Sequence, residues 1–111
     1  MWEIQMAKTM KILFTKTGAT WANSDAAISA IEDPSSGAFA DNKPRELIDE
    51  DIAAGKATRE HTLISPSSLR VVTVWANDAD FNNFIERKDA LYSGSRSAIN
   101  GFGYDMTVET S

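Results

Sequence analysis

"SSLRVVTVWANDADFNNF", residues 67–84, changes its hydrophobic period half-way along, and that change decides the fold. Val71, Val72, Thr73, Val74 and Trp75 leave no wet side, the pattern of a strand placed centrally in a sheet that is covered on both faces. Beyond Trp75 the period is helical. Asn77 or Asp78 can cap the helix, Phe81, Phe84, Ile85, Leu91 and Tyr92 form its stripe, and Gly94 ends it. The chain thus passes almost directly from a central strand, residues 69–76, into a helix able to cover one of its faces.

Just upstream, "ATREHTLI" (57–64) alternates, with Thr58, Glu60, Thr62 and Ile64 on one side and Arg59, His61 and Leu63 on the other. Its polar content suits an edge strand. "SPSS" (65–68) joins the two strands as a tight hairpin with Pro66 at the first corner. Before them, Pro44 suits the first turn of a short helix in which Leu47, Ile48 and Ile52 share a side and Gly55 is the stop. Glu46, Asp49, Glu50 and Asp51 in this acidic helix, 45–54, offer oxygens to a divalent cation. Their spacing is not that of a calcium loop, and a solvated helix face accounts for them, so no metal is expected.

Near the amino end, Met10, Ile12 and Phe14 alternate as a first strand. Trp2, Ile4 and Met6 extend its parity backwards past Lys8; Met6 can serve as a second start, which leaves residues 1–5 the least defined part of the domain. Asn23 or Ser24 caps a helix that carries Ala27, Ile28 and Ile31, and Pro34 stops it. Residues 33–44 are turn formers and read as a loop. Residues 93–100 read as a polar linker into a last, half-wet strand with Phe102, Tyr104, Met106 and Val108 on one side.

The order is strand, broken helix, strand, strand, helix, strand, which makes one α+β domain over residues 1–111 with a ferredoxin-like βαββαβ sheet and its helices on one face. Right-handed crossovers place the first and third strands in the centre. The second face of the apolar third strand then needs a cover, and the simplest source is a second copy of the sheet. A homodimer is the expectation.

A chain of 111 residues buries roughly 65% of its unfolded surface, enough for one modest core. It has no Cys, which removes disulfides, thiolate metal sites and cysteine nucleophiles. Its net charge of −5 disfavours nucleic acid and anionic membrane as partners. Nowhere do eighteen apolar residues run together, and the default expectation is a cytoplasmic protein.

"VVTVWANDADFNNFI", within a span of about 69–92, together with the element order, resembles the dimeric α/β-barrel proteins, especially the antibiotic-biosynthesis-monooxygenase and haem-degrading monooxygenase group. In that group a strand ends in Trp, a short polar cap follows, and an aromatic helix begins at the spacing of Trp75 to Phe81. The resemblance implies a homodimer whose two sheets enclose a cavity, with Trp75 facing the ligand. Haem-degrading relatives use a His late in the second helix, whereas the only His here is His61, in the second strand, and nothing among Met10 to Lys16 matches their first-strand Asn. Haem, and any other cofactor, is therefore not expected.

If the hairpin loop has an even number of residues, Ile64 opposes Leu69, so that Thr62 faces Val71, Glu60 faces Thr73 and Thr58 faces Trp75. An odd loop slips the strand by one and exchanges Glu60 for His61. With Trp75 facing the cavity as the resemblance implies, Trp75, Thr73, Val71 and Thr62 line the ligand pocket. Glu60 and His61 are then the candidate catalytic residues, Glu60 as a general base. Each has a plainer reading: Glu60 as an exposed edge carboxylate, His61 as a hydrogen-bonded surface residue, Trp75 as core indole. "SGSRS" (93–97) lacks a phosphate-loop pattern and reads as a helix-ending loop. The expected function is that of a cofactor-independent, monooxygenase-like enzyme on a small aromatic or apolar molecule; the alternative is a non-enzymatic dimer that binds a small ligand or serves as structure.

Overall fold

A computed structural model describes residues 7–32 and 44–111. In chain order they form β1 (Lys8–Thr15), α1 (Ser24–Glu32), α2 (Pro44–Ala53), β2 (Ala57–Ser65), β3 (Ser68–Trp75), α3 (Asp78–Tyr92), α4 (Ser95–Gly101) and β4 (Asp105–Thr110). The strands make a four-stranded sheet in the order β2-β3-β1-β4, antiparallel throughout. This is the ferredoxin-like α+β arrangement, with β3 and β1 central and β2 and β4 at the edges. The expected backward extension of β1, the Pro34 stop and most of the 33–44 loop lie outside the described residues.

Local chemistry sets the element ends. Asn23 caps α1 by accepting the Ala26 N–H at 2.8 Å, and Asn77, in extended conformation, caps α3 by accepting the Asp80 N–H at 2.9 Å. Gly55 stops α2 with φ +76, a left-handed conformation that side chains resist.

The helices cover one face of the sheet, where β3 buries alternate residues, Leu69, Val71, Thr73 and Trp75. Two hydrophobic clusters fill that layer. In one, Ile28 and Ile31 of α1 and Ile99 of α4 meet Phe14, Leu69 and Tyr104. In the other, Leu47 and Ile48 of α2 and Phe81 and Phe84 of α3 surround Trp75 and Met10. Trp75 is fully buried, with the Phe84 ring 4.8 Å and the Phe81 ring 5.2 Å from its centroid.

The structure departs from the sequence expectations in several places; one is Phe102, expected in the last strand, which instead ends α4 and is 50% exposed. The β2–β3 register is the slipped one: Leu63 pairs Leu69, His61 pairs Val71, Arg59 pairs Thr73 and Ala57 pairs Trp75. Ser65 pairs Ser68 at the turn, where its hydroxyl also accepts the Ser67 N–H at 3.4 Å, so Ile64 is left over as a bulge. Leu63 then points inward to pack on the first cluster, while Ile64 is exposed. In α2, Asp51 is buried and Ile52 is exposed, because Asp51 accepts the Trp75 indole N–H at 2.9 Å. Leu91, expected on the buried stripe of α3, is 64% exposed, while Tyr92 beside it packs on the second cluster. Residues expected as a polar linker contain α4, which forms because Ile99 anchors it, fully buried, in the core.

Candidate ligand cavity

Between the two clusters the layer is not filled. A cavity of about 420 Å³ lies there, within the usual range of small-molecule sites. Its floor is the helix-facing side of the sheet, with Met10, Ile12 and Phe14 from β1 and Val71 and Thr73 from β3. Its roof includes Ile48 of α2 and Phe84 and Ile85 of α3, and Met106 and Val108 of β4 border one side. These walls are apolar because the alternation of each strand turns its hydrophobic side to the helices.

One region of the lining is ionic. Glu32, the last residue of α1, is gripped by two guanidinium groups: Arg45 Nη1 donates to Oε2 and Arg59 Nη2 donates to Oε1. Three elements thus meet at one carboxylate, α1 through Glu32, α2 through Arg45 and β2 through Arg59. The Arg59 side chain is only 7% exposed and that of Glu32 10%, so the pair is desolvated. Burial holds the Arg59 guanidinium below the usual arginine range, against the pull of Glu32. Burial acts the same way on Arg45, but there Glu32 and Asp49, whose carboxylate lies 3.5 Å from Arg45 Nε, outweigh it and the result is upward. Lys88 borders the same cavity and pairs with Asp89 at 3.1 Å.

Three buried polar atoms in this region have no hydrogen-bond partner among the described residues: Arg59 Nε, Arg45 Nε and Thr73 Oγ1. Natural structures satisfy nearly all such atoms, with a protein group, an ordered water or a ligand. Arg59 and Thr73 are direct partners across β2 and β3, and both line the cavity.

Of the residues singled out from sequence, Val71 and Thr73 line this cavity. Trp75 lies in the core beyond it, with its indole engaged by Asp51. The slipped register puts Glu60 and Thr62 on the opposite, open face of the sheet, where both are exposed. His61 turns to the helix side but reaches α1, where Nε2 lies 2.9 Å from Asp25 Oδ1. Among the described residues, no group of three or more His, Asp or Glu side chains converges as a metal ligand set. Glu46, Asp49 and Glu50 are exposed, while Asp51 takes the Trp75 and Arg87 hydrogen bonds instead.

The sequence reading missed Glu32, Arg45 and Arg59. One signal was available: Arg59 shares its parity in β2 with Ala57 and Leu63, the residues best suited to a core-facing row. Nothing local marks Glu32 or Arg45, whose meeting depends on α1 and α2 both packing against β2.

Compared with known proteins, the chain matches no family model, and no curated protein matches it in sequence. Its fold does recur. A protein of Bacteroides thetaiotaomicron, described as a conserved protein of unknown function and possible oxidoreductase, superposes with a TM-score of 0.56 at 11% identity, over 97% of this chain and 98% of its own. Two structures of SnoaB, a cofactor-independent oxygenase from Streptomyces nogalater, give TM-scores of 0.46 and 0.45 at 12% and 13% identity. They cover 95% of this chain and 90% of theirs. At such identities the likeness is one of fold.

Proposed function

We propose that this chain binds a small, largely apolar or aromatic molecule in the cavity between its sheet and helices, and acts on it as a cofactor-independent, monooxygenase-like enzyme. The observation that carries the reading is the cavity itself: about 420 Å³ among core side chains, with buried, unpaired polar atoms on residues of its lining. The enzyme class agrees with the oxidoreductase description of the Bacteroides fold neighbour. Catalysis here would rest on positioning and on the guanidinium groups as electrostatic stabilisers of a developing anion.

A second reading, binding without turnover, is favoured by one observation. Glu32, the one carboxylate lining the cavity among the described residues, is held by two arginines and is poorly placed to take a proton. The readings separate experimentally. Native mass spectrometry of freshly purified protein should show a bound small molecule, and Val71→Phe, which fills the floor, should abolish its retention. Oxygen uptake on addition of phenolic compounds, without added cofactor, supports the enzyme; saturable binding with no uptake supports the binder. Retention unchanged by Val71→Phe removes the cavity reading.

We also infer a homodimer formed through the open sheet face. Its support is a ridge of Val72 and Val74 beside Leu13, with basic Lys11 and Arg70 on the inner strands and acidic Glu60 and Glu109 on the edges. A two-fold partner can pair that pattern with itself.

A further inference from the structure

We propose that the molecule held in the cavity carries a single oxyanion, a carboxylate or an ionised phenol, on its apolar body, received by Arg59 and Thr73; this rests on the reading of the cavity as a small-molecule site. Two guanidinium groups, Arg45 and Arg59, share one buried carboxylate, Glu32. Arg45 has a further partner at the surface in Asp49, which is 55% exposed, whereas Arg59 has Glu32 alone among the described residues. The Arg45 side chain is 39% exposed, so the desolvated members of the cluster are Arg59 and Glu32, and Arg59 shares its one carboxylate with a second guanidinium, which leaves a buried cation incompletely compensated and costly.

Hydrogen bonding points to the same place. A guanidinium offers five N–H donors; Arg59 gives one from Nη2 to Glu32, while its Nε–H is buried and unpaired among the described residues. The Thr73 hydroxyl, in a residue only 1% exposed, is likewise unpaired. The two are directly paired residues on one face of antiparallel strands, with Cβ atoms about 5 Å apart, and both line the cavity. A water molecule could satisfy either donor but would leave the charge unmatched. One oxyanion would accept from both unpaired donors and bring a counter-charge to Arg59, whose carboxylate partner is shared with Arg45. A phosphate monoester would bring more acceptor oxygens than the two unpaired donors serve. Most of the remaining wall is apolar, with Met10, Ile12, Phe14, Ile48, Val71 and Phe84, which calls for a hydrophobic body.

The test is calorimetric titration of the intact protein at neutral pH with 2-naphthoate, its neutral isostere 2-naphthamide, and 4-nitrophenolate at a slightly higher pH. At least one of the two anions should bind about tenfold or more tightly than the amide, the scale of a charge-assisted contact. Arg59→Met should erase that preference. Thr73→Val, a near-isosteric change that leaves the Arg59–Glu32 pair intact, should weaken anion binding several-fold while circular dichroism is unchanged. Preference for naphthoate assigns a carboxylate, and preference for nitrophenolate an ionised phenol. Equal or tighter binding of the amide overturns the oxyanion while leaving the cavity as a ligand site. If none of the probes binds, both readings fall.

Discussion

At the scale of single residues, Trp75 shows how position in a sequence pattern and role in a structure can part company. It ends the valine run and was a natural candidate to face a ligand, yet it is fully buried, and its indole N–H is spent on Asp51 Oδ2 at 2.9 Å. The other Asp51 oxygen accepts from Arg87 at 2.7 Å, so strand, α2 and α3 are tied at one carboxylate. That carboxylate is buried only because both its oxygens are served. Trp75→Phe keeps an aromatic ring but leaves Asp51 Oδ2 without its donor. The expected loss is about 1–3 kcal/mol for the unsatisfied acceptor, with a smaller addition from the vacated ring volume. Urea denaturation checks it. An unchanged midpoint would mean that the indole hydrogen bond contributes nothing net.

At the scale of elements, the helix that follows Trp75 was legible because its signals are local. Asn77 caps it through its own Oδ1, and Asn77→Ala should cost about 1 kcal/mol, read as a lower thermal midpoint with secondary structure retained. The strand order was legible for a similar reason, since the apolar content of β3 and the polar content of β2 declare centre and edge. The face that β2 presents was not. Whether Glu60 or His61 lies toward the helices turns on one bulged residue, Ile64, and alternating sequence fixes parity without fixing its sign. The packing that decides it is distant: Leu63 has a core to enter, and small Ala57 fits beside Trp75. Candidate site residues drawn from β2 therefore depended on the register, and Arg59 took the place beside Thr73 first given to Glu60. The Glu32 meeting point was hidden for a different reason. It is made by three side chains far apart in sequence, each unremarkable where it stands. Residues 95–101 fold as α4 for a further reason, the single buried Ile99, too sparse a signal to show a helical period.

At the scale of the whole molecule, stability should depend on pH at the alkaline end through tyrosines. Burial pushes the Tyr104 hydroxyl above the usual tyrosine range. Burial and then Glu46, whose carboxylate accepts from the Tyr92 hydroxyl at 3.5 Å, do the same for Tyr92. Below about pH 10 both residues are protonated folded and unfolded, and they add no slope. Above it the unfolded chain releases these protons first, so the stability they contribute falls as pH rises through the folded values. Urea midpoints taken from about pH 9 to about pH 11 should therefore decline, and Tyr104→Phe should flatten part of that decline. A variant profile parallel to the wild type would show that Tyr104 titrates alike in both states.

The open sheet face poses the last question at this scale, because β3 is apolar on both sides while its own helices cover only one. Val72 and Val74 are half-buried by their neighbours, and Leu13 is 37% exposed on the adjacent strand. That patch is small, and Lys11, Arg70, Glu60 and Glu109 surround it, so hydrophobic burial alone would make a weak interface. A two-fold axis near Val72 improves it, because the inner-strand cations of one copy then face the edge carboxylates of the other, and the same patch serves both subunits. The expected species by light scattering after size exclusion has twice the chain mass of 12.2 kDa. Because rim charges contribute, its dissociation should be promoted by salt. Val72→Lys puts a cation beside Lys11 on the ridge of each copy and should give a folded monomer. Since the cavity lies on the other side of the sheet, that monomer should still retain the cavity's ligand. A wild-type protein that runs as a monomer at micromolar concentration would leave the open face uncovered and remove the homodimer.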